Sequence, residues 1–301
     1  MPISNKNSRS GKAANGIRVM EQINLEKVKA VIEMALQEDI GEGDITTDSV
    51  IPAGIECTAV IFAKAPGIIA GLPVAEQVFR AVDKRLLMDR KVSEGAVVAA
   101  GREVLEISGW ARSILCAERV ALNFLGHLSG ISTLTRRFVD QVKDYNAVIL
   151  DTRKTLPGLR YLKKYAVRVG GGENHRLGLF DQILIKDNHL KIQKELGPGY
   201  IHRSINRARK RFKDRIEIEV QNMEEAEESV AGGADVLLLD NMSVADIDAV
   251  TRRFSGKVIL EVSGGVTLDN VAEIAQTGVD YISVGALTHS PPLLDLSLKV
   301  K

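Results

Sequence analysis

Apolar residues recur at helical spacing in "LEKVKAVIEMAL", Leu25 to Leu36, and predict a first helix. The next stretch, "EDIGEGDITTDSVIPAG", is polar and glycine-rich and reads as a loop. "CTAVIFAKAPGIIAG" and "KVSEGAVVAAGREVLEISG" are short β-like runs broken by Gly and Pro, and they flank a predicted helix over Leu72 to Val82. Together these segments predict an α+β domain. A long helical pattern, Ala111 to Val142, leads out of it, interrupted only by Gly126 and Gly130.

The pattern then changes. Apolar strand-like runs appear at "AVIL" (147–150), "QILIK" (182–186), "IEIEV" (216–220), "VLLL" (236–239), "KVILEV" (257–262) and "YISV" (281–284). Helical patterns separate them, for example Glu224 to Ala231 and Leu268 to Gln276. Strand–helix alternation means a parallel sheet. Six such units without a dinucleotide fingerprint predict a (β/α) barrel, complete or incomplete, with an open doubly wound sheet as the alternative.

In a barrel the C-terminal strand ends form the active face. Here each end carries a polar group or glycine: Asp151 with Arg153 and Lys154, Lys186-Asp187, Glu219, Asp240, Ser263-Gly264-Gly265, and Gly285. Adjacent cations such as Arg153 and Lys154 repel each other, and are tolerable in solvent or around an anion. Glu217 and Glu219 share one face of their strand. Glu217 is expected to form a buried ion pair with a neighbouring Lys, and Glu219, nearer the end, to belong to the site. "LEVSGGV" and "YISVGALTHS" read either as a two-part phosphate cradle, aided by the N-termini of the helices that follow, or as two tight turns. In "VRVGGGENHRLGLFDQILIKDNH", His175 could act as a base, but no nucleophile or acid is spaced near it, and anion binding is the preferred role.

Composition narrows this little. The 301 residues suffice for two domains or one large barrel with an appendage, and 45% are apolar, enough for a sizeable core. The net charge of +1 provides no global field for nucleic acid or an anionic membrane. The two cysteines, Cys57 and Cys116, make no disulfide framework or zinc signature and fit a reducing cytosol. No apolar run approaches a membrane span. Residues 1–20 read as a disordered extension. A mitochondrial leader is the alternative, and the lack of an apolar face argues against it.

The segments "DTRKTLPGLR", "GGGENHRLGLFDQILIKDNH", "IEIEVQN", "VLLLDNMS", "LEVSGGV" and "YISVGALTHS" resemble the quinolinate phosphoribosyltransferases, as do "EDIGEGDITTDSVIP" and "AERVALNFLGHLSGIST". The resemblance runs in order from Leu25 to Ser290. It implies an N-terminal α/β sandwich domain (21–130), also packed by the C-terminal tail (289–301). It further implies a C-terminal incomplete α/β barrel (131–288) of about seven strands, of the type II phosphoribosyltransferase kind. The implied reaction joins quinolinate to phosphoribosyl pyrophosphate with Mg²⁺, yielding nicotinate mononucleotide, pyrophosphate and CO2 in NAD synthesis. By the same resemblance, Arg119, Arg153, His175 and Arg176 hold the quinolinate carboxylates, and Lys154 and Lys186 lie between the substrates. Ser263, Gly264, Gly265, Gly285 and His289 cradle the 5′-phosphate, while Glu219 and Asp240 face the ribose and the Mg²⁺-pyrophosphate. It also implies a cytoplasmic homodimer in which Arg119 serves the partner's site. On the residues alone, Arg119 could instead pair with Glu118. The rival readings are a related enzyme with another acceptor, such as nicotinate or a compound of the molybdenum-transport-associated relatives, and a non-catalytic phosphate-ligand sensor.

Overall fold

The computed structural model describes residues 23–301, so the reading of residues 1–20 lies outside the described residues. After a 3-10 turn (Leu25–Lys27), the first half comprises α1 (Lys29–Ile40), α2 (Ile45–Val50), β1 (Glu56–Ala63), β2 (Gly67–Ile68), α3 (Leu72–Val82), β3 (Leu87–Arg90), β4 (Val97–Val98), β5 (Glu103–Trp110) and α4 (Ala111–Gln141). The second half alternates β6 (Val148–Leu150), α5 (Arg160–Gly170), β7 (Ile183–Ile185), α6 (Asp187–Lys194), α7 (Tyr200–Arg211), β8 (Ile216–Val220), α8 (Met223–Ala231), β9 (Val236–Asp240), α9 (Val244–Phe254), β10 (Ile259–Ser263), α10 (Val271–Gln276), β11 (Tyr281–Ser283) and α11 (Ala286–His289), and it closes with β12 (Leu296–Val300).

The first half builds a four-stranded antiparallel sheet, ordered β12-β1-β5-β3. β12 comes from the end of the chain and pairs with β1, so the tail returns to this sheet. The stretch read as a loop contains α2. Asp44 caps it, accepting the Thr47 N–H at 2.9 Å, a local signal that the β-branched "ITT" run obscures. The core is filled by fully buried side chains such as Phe79, Leu105 and Ile107. Each contributes about 1.5–3 kcal/mol relative to exposure.

α4 runs unbroken through Gly126 and Gly130. Those glycines admit the returning tail instead of interrupting the helix. A Cβ on Gly130 would meet the Pro292 carbonyl oxygen at 1.8 Å, and Leu294 N–H donates to the Gly126 carbonyl at 3.0 Å.

The second half builds a six-stranded parallel sheet ordered β6-β11-β10-β9-β8-β7. Five consecutive strands, β7 to β11, lie side by side in chain order, and β6 joins beyond β11. A doubly wound sheet would reverse order partway, so that alternative is excluded. The barrel is open between β6 and β7. There Glu173 pairs with Leu150 as a single parallel bridge, with Glu173 N–H donating to the Ile149 carbonyl at 2.8 Å. The resemblance implies about seven strands; the described residues hold six, and this one bridge lies where a seventh would fall.

Alternation sorts each strand. Ile216, Ile218, Leu237, Leu239, Leu260 and Val262 are buried on one face. Glu217, Glu219, Asp240, Glu261 and Ser263 fall on the other, the barrel interior. That interior mixes these polar groups with Leu184, Val236 and Leu238, and Glu219, Asp240 and Ser263 stand at the C-terminal rim.

Candidate active site

The rim can be followed strand by strand. β7 delivers Lys186 and β8 Glu219. Lys186 Nζ donates to Glu219 Oε1 at 2.6 Å, and the Asp187 N–H donates to Oε2 at 2.8 Å. Glu219 is buried, whereas the Lys186 side chain is 46% exposed, so the ammonium stands at the mouth. β9 delivers Asp240, half-buried, which accepts from Ser263 Oγ at 3.2 Å and from Asn241 Nδ2 at 2.9 Å. Glu219, Asp240 and Ser263 thus occupy three successive strand ends.

Gly264 has φ +91°, and a Cβ there would lie 2.1 Å from Asn241 Oδ1. Only glycine fits. Gly265 (φ +62°) faces open space. Helix α10 begins only at Val271, so the expected helix N-terminus does not reach this loop, whereas α11 does start directly at Gly285. A Cβ on Gly285 would lie 3.1 Å from the His289 ring and 3.7 Å from Lys154 Cδ, so Lys154, Gly285 and His289 converge.

The Arg153-Lys154 doublet divides its labour. Lys154 is exposed beside Gly285, while Arg153 is half-buried. Arg176 is 7% exposed. Burial lowers its pKa first, and the Arg153 charge lowers it further. Both guanidinium groups bury an Nε that has no partner. Two mutually repelling cations with unfilled donors are stable against an anion between them.

Asp151, the polar group after β6, turns inward instead of facing the mouth. It is fully buried, ion-paired with buried Lys164, and accepts from Asn174 Nδ2 at 2.6 Å and from the His175 N–H at 3.0 Å.

His175 is engaged differently from the expectation. Its Nδ1 accepts the Arg176 N–H at 2.8 Å, which places the ring proton on Nε2. Nε2 lies 3.3 Å from Glu217 and 3.5 Å from Glu261. Both ring nitrogens are thus taken by the protein, and the ring points into the barrel. Burial disfavours the imidazolium, but the hydrogen bond to Glu217 and the Glu261 charge outweigh it and raise its pKa. Glu217 is fully buried, as anticipated, but its partners are His175 and Gln182 Nε2 (2.9 Å), not a lysine. The lysine on the neighbouring strand, Lys186, lies at its end, beside Glu219.

Glu261 escaped the sequence reading, although "ILEVS" places it on the same face as Ser263. Burial and the Glu217 charge push its pKa up to about 7, and Ser283 Oγ donates to it at 2.5 Å. His175, Glu217 and Glu261 bring possible metal-ligand atoms within 4.8 Å of one another. The imidazole has no free lone pair there, however, and a cavity of about 170 Å³ beside it is also lined by Arg215. Oxygen donors suited to a hard divalent cation are found instead at the mouth, on Asp240 and Glu219. A larger concavity, about 870 Å³, lies between α1 and α3 and includes no strand end, so it carries none of this chemistry.

Arg119 is not at this rim. It is exposed on α4 and makes no hydrogen bond or close ion pair among the described residues, although its charge acts on the half-buried Glu118 carboxyl.

A parallel barrel with clustered cations, two of them holding unfilled Nε donors, and a glycine-lined loop at its mouth fits the class of enzymes that handle polyanionic substrates. Residues 44–129 match the quinolinate phosphoribosyl transferase N-terminal domain, and residues 131–299 match its C-terminal domain. The carboxylating nicotinate-nucleotide pyrophosphorylase of Mycobacterium leprae is 42% identical over 288 residues, 93% of this chain and 99% of its own. The decarboxylating quinolinate phosphoribosyltransferase 1b of Nicotiana tabacum is 40% identical over 294 residues, 91% of this chain and 82% of its own. The nicotinate-nucleotide pyrophosphorylase structure from Francisella tularensis superposes with a TM-score of 0.87 at 40% identity, covering 94% of this chain and 99% of that one. The chain belongs to the quinolinate phosphoribosyltransferase family.

Proposed function

We propose that this chain transfers the phosphoribosyl group of phosphoribosyl pyrophosphate to quinolinate with loss of CO2, forming nicotinate mononucleotide and pyrophosphate for NAD synthesis. The observation that carries this reading is the Arg153–Arg176 pair with its two unpartnered buried Nε atoms. A dicarboxylate acceptor satisfies both guanidinium groups at once, in the bidentate geometry that Arg favours.

In this reading Arg153 and Arg176 orient the acceptor so that its ring nitrogen faces the anomeric carbon. His175 acts on the acceptor through the Arg176 backbone it anchors. Lys154 and Lys186 lie between the two substrates. The Ser263–Gly265 loop, Gly285 and His289 receive the 5′-phosphate. Glu219 and Asp240 face the ribose, where negative charge favours the oxocarbenium character that develops as pyrophosphate leaves. Once bonded to ribose, the pyridine nitrogen is cationic and stabilises the electron pair that stays on C2 as CO2 leaves; C2 then takes up a proton to give the mononucleotide, so the site needs no strong base. Mg²⁺ is the proposed cofactor. Asp240 is the freer donor, because its partners are the neutral Ser263 and Asn241, whereas buried Glu219 is ion-paired with Lys186. When bound, the ion neutralises charge on the pyrophosphate.

The division of labour follows the same reading: residues 21–130 with the tail 289–301 form the covering unit, and 131–288 the barrel. A homodimer with shared sites is supported by exposed Arg119 and by exposed apolar side chains in the segments around β7 and after β6, Leu156, Leu179, Phe180, Ile192 and Leu196. No helix among the described residues is long and apolar enough to cross a membrane. We place the enzyme in the cytoplasm, a reading supported by the two free cysteines, which fit a reducing compartment. Incubation with quinolinate, phosphoribosyl pyrophosphate and Mg²⁺, following mononucleotide and CO2 together, tests the function.

A further inference from the structure

Four residues close a hydrogen-bonded ring beneath the mouth. Glu217 receives the His175 Nε2–H at 3.3 Å. His175 Nδ1 receives the Arg176 N–H at 2.8 Å. Arg176 Nη1 donates to the Gln182 carbonyl at 3.0 Å. Gln182 Nε2 donates back to Glu217 at 2.9 Å. Glu217 sits two residues below Glu219 on β8, about 6.6 Å further from the rim. It is fully buried and lies below the substrate space, yet one carboxylate anchors both flanks of the arginine above it.

Gln182 carries the strain of this arrangement. Its φ is +138°, one of two positive values among the described non-glycine residues. A side chain larger than glycine holds such a backbone only where its surroundings over-determine it. Here the side-chain amide is tied to Glu217, and the carbonyl is thereby aimed at Arg176.

We propose that Glu217 and Gln182 are positioning residues for the acceptor: they fix Arg176 in advance, so that its unpartnered Nε meets a substrate carboxylate without reorganisation. The proposal rests on the reading of quinolinate as acceptor and adds to it the device that sets its orientation. Glu217 works through His175 and Gln182, with no contact to substrate. A carboxylate is required because it accepts from both neighbours. An amide in its place accepts from one and turns an N–H toward the other.

The test uses the full chain and four proteins: wild type, Glu217→Gln, Gln182→Met, and the combined Glu217→Gln/Gln182→Glu, in which carboxylate and amide change places. Titration calorimetry measures quinolinate and phosphoribosyl pyrophosphate separately, alongside melting temperature. Glu217→Gln and Gln182→Met should each weaken quinolinate binding by about tenfold or more while phosphoribosyl pyrophosphate affinity stays within about threefold. The exchanged pair should recover most of the quinolinate affinity. Should Glu217→Gln fail to fold, half-buried Gln182 provides the same reading through Gln182→Met. Unchanged quinolinate affinity in the foldable variants overturns the proposal. So does a parallel loss of both substrates that the exchange does not repair, because that pattern marks a general fold element. Absence of quinolinate binding by the wild type overturns the proposed function and this proposal with it, and it is recognised by occurring before any substitution.

Discussion

Lys186 Nζ lies 2.6 Å from Glu219 Oε1, joining the ends of two adjacent strands at the mouth of the barrel. The lysine is half exposed and the glutamate buried. Removing them should therefore have different consequences. Lys186→Ala takes a charge from the site but little from the core, so it should cost roughly 2–4 kcal/mol of transition-state stabilisation with little change in melting temperature. Glu219→Ala also strips the Asp187 N–H of its acceptor and should lower the melting temperature as well. Steady-state kinetics with thermal unfolding separates the two, and near-normal turnover in Lys186→Ala removes that lysine from the site.

Gly264→Ala tests the anion loop. The added Cβ would meet Asn241 Oδ1 at 2.1 Å, and φ +91° is strained for alanine. The loop must shift, and affinity for phosphoribosyl pyrophosphate should fall by about tenfold or more while quinolinate affinity holds. Calorimetry showing equal losses for both substrates would place the loop elsewhere than at the 5′-phosphate.

Glu261 predicts a pH dependence of stability. Its pKa is pushed up to about 7 in the folded chain, above the ordinary 4.5. Between those values the folded state binds a proton that the unfolded state has released. Stability from this group is thus complete below about pH 4.5 and falls as pH rises through about 7, by a few kcal/mol at most. The melting temperature of Glu261→Gln should vary less over that range than that of wild type. Parallel pH profiles would show that Glu261 ionises normally.

Much of this architecture was legible from period alone. The runs "IEIEV" and "LPVAEQVFRAV" fix β8 and α3 because burial on one or both faces leaves no ambiguity about their apolar positions. The rim was also legible, since parity places Glu219, Asp240 and Ser263 on the inner face near strand ends. What escaped depends on partners distant in sequence. The acceptor for His175 is 42 residues away, and the amide that replaces the expected lysine beside Glu217 is 35 residues away. Gln182 carries no local mark of its positive φ. The glycines of α4 suggested a break because their reason for being small, the tail at Pro292, lies beyond the reach of helical periodicity.

Arg119 and Lys154 test the shared site. Arg119→Ala and Lys154→Ala should each be nearly inactive alone. If Arg119 serves the partner, a hybrid dimer collects both defects in one site and leaves the other intact. Random reassociation makes about half of the dimers hybrid, so up to roughly a quarter of wild-type activity should return. With hybrids verified by differential tagging, no recovery means that Arg119 does not act across an interface.

The central claim is that the Arg153–Arg176 pair serves a dicarboxylate whose C2 carboxylate is lost after transfer to ribose. Quinolinate labelled at the C2 carboxyl carbon tests it most directly, incubated with phosphoribosyl pyrophosphate and Mg²⁺ beside a nicotinate control. Labelled CO2 and nicotinate mononucleotide should form in equal amounts, with no mononucleotide from nicotinate. Mononucleotide formed from nicotinate at a comparable rate, or formed from quinolinate without release of the label, would contradict it.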